Sequence, residues 1–278
     1  MFRLALLILA VIPINSHATT KLKINSSTTG NPVLLSAANH FNKKGWQVEV
    51  DTKAGNSRGV ALVAEGLTDL AMLSRPVSLK DREKYPSTVF RQHLLGFQGT
   101  ALVVSEDLYS KGVKTLTHKQ IKDIYEGKIK NWQQVGGPDR KVTFFNNKLE
   151  GGLGKVFVSY LYGDPNKAPK VSHPNIGPTQ KAATKVSQSK GGITQMTVNK
   201  ALSSQRVKVV AINEGNRIIP PNLETISDGS YPLGQPLLLL SKAKMSPAQN
   251  QFIQFIQSPK GQKIVKAKGY LPIEKMEE

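Results

Sequence analysis

Leu70-Ala71-Met72-Leu73-Ser74-Arg75-Pro76 sets four apolar residues before a polar pair and a proline. An unbroken apolar run of this length reads as a strand buried on both faces, and proline ends its pairing. Working back from it, Gly59 to Glu65 carries helical apolar spacing, Gly55-Asn56-Ser57 is a polar turn, and Trp46 to Val50 alternates as a strand. The same order stands once more upstream, with a strand from Leu22 to Asn25, the turn Ser26-Ser27-Thr28-Thr29-Gly30, and a helix from Pro32 to Phe41. Strand, turn and helix repeated in this way predict an α/β fold with a mostly parallel sheet, whose ligands bind beyond the carboxyl ends of the strands. All three polar turns fall at that end. Helix N-termini there offer unpaired N–H groups and a positive dipole end, Ser and Thr add hydroxyls, and Gly lets backbone approach closely. The pattern suits an anion and needs no catalytic side chain.

Further along, Leu94 to Val104 is a long strand-like stretch interrupted by Gly96 and Gly99, and Thr117 caps a helix running to Tyr125. A strand over Val142 to Phe145 leads into the glycine turn Gly151-Gly152-Leu153-Gly154 and a helix from Lys155 to Tyr162. Ala182 to Ser187 as a helix, a Gly191-Gly192 turn and a strand from Val207 to Ile212 extend this into a second α/β lobe. Pro232 to Leu240 is another long apolar strand, and two helices close the chain, Pro247 to Ile256 and Gly261 to Ala267.

The 278 residues suffice for two lobes with separate cores, and 39% apolar with 21% charged residues is an ordinary globular composition. Arg3, the apolar run Leu4 to Ile14 and the small-residue exit Ser16-His17-Ala18 predict a signal peptide over residues 1–18, cut after Ala18. That run is too short to span a bilayer. Cysteine is absent, so no disulfide and no lipidated cysteine is expected, which points to a free protein in the periplasm of a Gram-negative bacterium. The formal net charge of +19 and pI of 10.0 draw phosphate, nucleic acid, anionic lipid or acidic partners without choosing among them. The lysines are dispersed as on solvated helix faces, and no aromatic residues alternate with them to stack bases, so no nucleic-acid role is expected. Enzyme chemistry finds no footing either. There are 5 His with no pair at helical spacing, no Gly-x-Ser-x-Gly elbow, and no Gly-Lys-Ser/Thr ending on the glycine turn, so no metal and no cofactor is expected.

Several stretches together resemble the phosphate-binding components of ABC transporters, a branch of the periplasmic binding protein superfamily. They are Ser26 to Gly30, Gly55 to Val60, Glu65 to Pro76, Leu116 to Ile121, Tyr125 to Trp132 with Val135-Gly136-Gly137, Tyr231-Pro232-Leu233, and Ser258 to Val265. The resemblance implies the type II fold, with two Rossmann-like lobes joined by two crossing strands that close over the ligand. The crossings should fall near Gly96 to Val104 and Tyr231 to Leu240. Residues 19–95 with 241–278 would form lobe I, and residues 96–240 lobe II with the hinge strands.

Carried onto this chain, the family's ligand donors fall on Ser27, Thr28, Thr29 and Gly30, on Asn56 and Ser57, on Ser74 and Arg75, and on the turn holding Asn147, Gly151 and Gly152. Arg75 stands out, since a guanidinium gives two parallel N–H bonds to one oxyanion; its alternative is a pairing with Asp69 or Asp81. The last turn departs from the family, because relatives have an arginine and then Ser-Gly-Thr where this chain has Asn147 and then Gly151-Gly152-Leu153. The resemblance implies a monomer that takes phosphate or a related oxyanion and delivers it to an inner-membrane ABC permease. The alternative is an anion-sensing or surface-binding protein on the same scaffold.

Overall fold

The computed structural model of the chain describes residues 20–26, 30–53, 55–147, 153–176 and 181–273. The expected signal peptide, and the turn residues Ser27, Thr28, Thr29, Gly151 and Gly152, lie outside these residues.

The chain opens with β1 (Lys21–Ser26), α1 (Asn31–Asn42), β2 (Gln47–Asp51), α2 (Asn56–Glu65), β3 (Leu70–Leu73) and α3 (Leu79–Lys84). The long β4 (Phe90–Val104) then leads to α4 (Glu106–Ser110), β5 (Thr115–Thr117), α5 (His118–Tyr125), a 3-10 turn (Trp132–Val135), β6 (Thr143–Phe145) and α6 (Leu153–Tyr162). There follow α7 (Ala182–Gln188), β7 (Gly192–Thr197), α8 (Val198–Leu202), β8 (Lys208–Glu214), β9 (Arg217–Ile219) and α9 (Leu223–Ser227). The chain returns through β10 (Gly234–Lys242) to α10 (Pro247–Gln257) and α11 (Pro259–Ala267).

The alternation of side chains across each strand sorts the first lobe into two apolar layers. Leu70 and Met72 of β3, with Leu237 and Leu239 of β10, pack under α1, α10 and α11 through Leu34, Phe41, Phe252 and Val265. Ala71, Leu73, Leu238 and Leu240 point the other way, onto Val60 and Val63 of α2. A separate cluster built on Leu102, Trp132, Phe144, Phe157, Ile193 and Ile212 forms the core of the second lobe. Complete burial of each such side chain contributes ~1.5–3 kcal/mol.

The strand order is β2-β1-β3-β10-β4-β7-β6, with β8 also pairing to β4, β5 and β9. β1 lies parallel to β2 and β3, but β10 is antiparallel to both β3 and β4, and β4 is antiparallel to β7 and β8. The sheet is therefore mixed, where the strand–turn–helix repeat predicted mostly parallel pairing. The reason is the passage between lobes: β4 runs out of the first lobe into the second, and β10 re-enters the first lobe in the opposite direction, antiparallel to β3 and β4. β4 pairs with β10 over Phe90 to Gly99 and with β7 over Thr100 to Val104, which makes it the first crossing. The second lies just before β10, where the buried Tyr231 donates its hydroxyl to Thr100 O at 2.8 Å and ties the two crossings together.

Gly96 sits where the C-terminal segment presses on β4: Phe97 and Leu271 exchange backbone hydrogen bonds of 2.8 Å, and a Cβ on Gly96 would stand 2.7 Å from Leu271 O. The Asn131-Trp132 motif is a structural plug. Asn131 and Gln134 form a capping box on the 3-10 turn, and the fully buried Trp132 donates Nε1–H to Gly191 O at 3.1 Å. Among the described residues no helix is long and apolar enough to cross a membrane.

Candidate functional site

The turn after β3 is held by several side-chain hydrogen bonds. Asn56 is the first residue of α2, which therefore begins three residues earlier than its apolar spacing predicted, and Gly55 takes the N-cap. From there the Asn56 side chain reaches Ser74: Ser74 N–H donates to Asn56 Oδ1 at 3.0 Å, and Asn56 Nδ2–H donates to Ser74 Oγ at 3.1 Å. Two of the expected turns are thus stapled together by one amide.

Arg75 extends from this staple. Its Nη2 donates to Ser57 Oγ at 3.3 Å, while its Nη1 donates to Asp81 Oδ2 at 2.7 Å and to Pro76 O at 2.8 Å. Of the two carboxylates open to it in sequence, Arg75 takes Asp81; Asp69 instead accepts Lys23 N–H at 2.7 Å. Asp81 is also the third residue of a capping box with Ser78, whose backbone and hydroxyl both donate to Oδ2. The hydrogen bond from Arg75 is the main cause that holds the Asp81 carboxyl down to about 2; partial burial opposes it and the Ser78 bonds add to it. The Arg75 side chain keeps 34% of its surface exposed, so the guanidinium is anchored to Asp81 and Ser57 and still reaches solvent.

Gly30 caps α1, accepting N–H bonds from Val33 and Leu34 on its carbonyl, both at 3.2 Å. It must be glycine for reasons of space, because a Cβ there would stand 2.4 Å from Met72 of β3. This contact brings the start of α1 down onto the strand that ends at Ser74.

On the second lobe Asn147, only 1% exposed, follows β6. Its Nδ2–H donates to Gln195 O at 2.8 Å, and Gln195 Nε2–H donates back to Asn147 O at 3.1 Å. This reciprocal amide pair locks the end of β6 to β7, and Thr194 Oγ1–H donating to Phe145 O at 2.8 Å reinforces it. One of the two Asn147 Nδ2 donors is thereby committed to the protein's own backbone.

Between the lobes lies a cleft of about 110 Å³. Pro32 at the start of α1, Leu153 at the start of α6, Gln98 of β4 and Thr197 of β7 line it, so the N-terminal turns of one helix from each lobe share its wall. The Thr197 hydroxyl and Asn31 Oδ1 are buried without a hydrogen-bond partner. Asn56, Ser57, Ser74 and Arg75 form one cluster but do not line this cleft. Asp81 was one of the two carboxylates the sequence offered to Arg75, and the Ser78-x-x-Asp81 spacing marks its capping box. Sequence reasoning passed over Gln195 and Thr197, which sit on a strand whose polar residues disguise it. Among the described residues no three His, Cys, Asp or Glu gather as metal ligands.

Two α/β lobes, hinged by paired crossing strands and facing each other across polar strand ends, define the type II periplasmic binding protein fold. The chain belongs to the PBP superfamily, whose domain model matches residues 13–260. It is 25% identical over 261 residues to the phosphate-binding protein PstS of Bacillus subtilis (strain 168), covering 93% of this chain and 83% of that protein. Among solved structures it is similar to PstS from Borrelia burgdorferi, with a TM-score of 0.74 and 22% identity over 92% of this chain and 99% of the other. It is also similar to an ABC-type phosphate transport receptor from Vibrio cholerae, with a TM-score of 0.72 and 23% identity over 91% and 99% of the two chains.

Proposed function

We propose that this chain captures a small oxyanion, inorganic phosphate first, as the solute-binding component of an ABC transporter, and performs no covalent chemistry. In this reading residues 1–18 are removed on export, and the mature chain works as a periplasmic monomer that hands its ligand to an inner-membrane permease. Residues 19–95 with 241–278 act as lobe I and residues 96–240 as lobe II, closing on the ligand about β4 and β10.

The observation that carries the reading is Arg75: a guanidinium at the carboxyl end of β3, anchored by Asp81 and Ser57 yet one-third exposed, beside the Asn56–Ser74 staple at the head of α2. A preset fork with neighbouring hydroxyl and amide groups is what a tetrahedral oxyanion requires. Ser27, Thr28, Thr29, Gly30, Gly151 and Gly152 are the further donors that the family resemblance implies. The names of the relatives, phosphate-binding protein and phosphate transport receptor, support the same ligand. One observation favours the second reading, an anion-sensing or surface-binding role. The resemblance implies an arginine where this chain has Asn147, which is buried and holds Gln195 O through one Nδ2–H.

Calorimetric titration of ligand-stripped protein with phosphate, alongside sulfate and a phosphorylated metabolite, tests the proposal. Saturable phosphate binding is expected, lost in Arg75→Ala. Absence of binding to every oxyanion would remove the capture function and leave the second reading.

A further inference from the structure

The helical layer α1–α10–α11 covers one face of the first lobe's sheet, and its charge is of one sign. Residues 30–48 and 241–273, which build it, contain lysine but no aspartate, glutamate or arginine. Lys43 and Lys44 end α1, and Lys260 and Lys263 lie one turn apart on α11, all four exposed. Among the described residues none of the four makes an ion pair. On the second lobe four lysines are paired with acids, Lys111 with Asp107, Lys119 and Lys128 with Asp123, and Lys208 with Glu106, although residues 165–213 there also carry no aspartate or glutamate.

Packing sets the end of α1 against α10 and α11. His40 of α1 stacks on Phe255 of α10, ring centroids 4.3 Å apart and planes within 7°. Burial, then the positive charges of Lys44 and Lys260, lower the His40 pKa, so lysines from both ends of this contact act on the same ring. Trp46 packs on Phe41 at 4.5 Å, and Phe41 meets Phe255 edge-on, so half-buried aromatic rings sit among the lysines. Asn39, Gln251 and Gln254 are exposed, polar and uncharged, Leu35 of α1 is exposed and apolar, and Lys266 and Lys268 are exposed at the end of α11.

We infer that the α1–α10–α11 face docks the protein on an anionic phospholipid surface. This goes beyond oxyanion capture and does not depend on it. Charge complementarity selects an anionic partner, and the composition selects a lipid surface over a nucleic acid. Lysine is a point charge on a flexible stem suited to a smeared layer of headgroups, whereas nucleic-acid recognition draws on the arginine fork that this face lacks. Half-buried Trp, Phe and His rings beside lysine suit the boundary between headgroups and acyl chains.

The test is co-sedimentation with vesicles of phosphatidylglycerol mixed with phosphatidylcholine, and of phosphatidylcholine alone, at low and moderate salt. It compares the full mature chain, the variant Lys43→Gln/Lys44→Gln/Lys260→Gln/Lys263→Gln, and a control that removes the same charge elsewhere, Lys111→Gln/Lys119→Gln/Lys128→Gln/Lys208→Gln. Thermal melts verify that each folds, and phosphate titration reads the capture site separately. A lysine near an anionic surface contributes about fivefold to partitioning, so the first variant should lose about a hundredfold or more at low salt while the control loses far less. Salt should weaken wild-type binding, and neutral vesicles should not bind. Equal loss in both variants, equal binding to neutral vesicles, or no binding to anionic ones overturns the inference. So does tighter binding to duplex DNA than to vesicles through the same four lysines.

Discussion

The turn after β3 and the turn after β6 occupy corresponding ends of their strands, yet the first presents an ion pair and the second a pair of amides. In the first lobe Arg75, Asp81 and Ser57 form a charged cluster that keeps part of its surface open. In the second, Asn147 and Gln195 bond each other's backbone and are buried, so their exchange fixes the β6–β7 connection and leaves no charge. Under the proposed function, the first lobe would supply charge and the second would supply shape and backbone donors.

The comparison breaks most readily at Arg75. Arg75→Ala removes two charge-assisted bonds, each worth about 1.5–3 kcal/mol, and should lower phosphate affinity about a hundredfold or more by calorimetry. Asn147→Ala should act on the fold more than on the ligand. It leaves the buried Gln195 carbonyl without its donor and should cost about 1–3 kcal/mol in urea unfolding, with a smaller loss of phosphate affinity than Arg75→Ala. If instead Asn147→Ala removes binding and spares stability, the second lobe also recognises charge.

Asp81→Asn sharpens the same contrast. It strips the counter-charge from Arg75 while leaving a side chain able to accept, and should raise phosphate affinity about fivefold. A fall in affinity would show that Asp81 serves mainly to aim the guanidinium. The smallest effect is on pH. Because Asp81 is held at about 2, below its unfolded value, its contribution to stability is present above roughly pH 4 and is lost as pH falls toward 2. Solvent around the half-exposed pair limits this to about 1 kcal/mol or less. The stability gap between wild type and Asp81→Asn, followed by urea melts, should close over that range.

Much of the first lobe was legible because its code is local. Leu70 to Leu73 is an unbroken apolar run with a proline stop, and the strand has those bounds. Local code also reads in the second lobe, where Thr117 caps its helix with the Gln120 partner that makes a capping box. Long-range pairing was less legible. β7 was missed because Thr194, Gln195 and Thr197 break its apolar run, and those polar residues make sense only beside Phe145 and Asn147, which lie about fifty positions earlier. The antiparallel share of the sheet follows from where β4 and β10 cross between lobes, which no local pattern encodes. The site was half legible. Asn56, Ser57, Ser74 and Arg75 do gather, but the need for glycine at Gly30 comes from Met72, and the anchoring of Arg75 comes from Asp81 on the next helix.

The central claim is that the two lobes close on one oxyanion through Arg75. With no native cysteine, Lys84→Cys and Asn166→Cys place one fluorophore on each lobe without competing labels. Phosphate titrated into the labelled protein should raise energy transfer saturably as the lobes approach, and Arg75→Ala in the same background should abolish the change. A phosphate response that survives Arg75→Ala, or no response in the parent protein, would contradict the account.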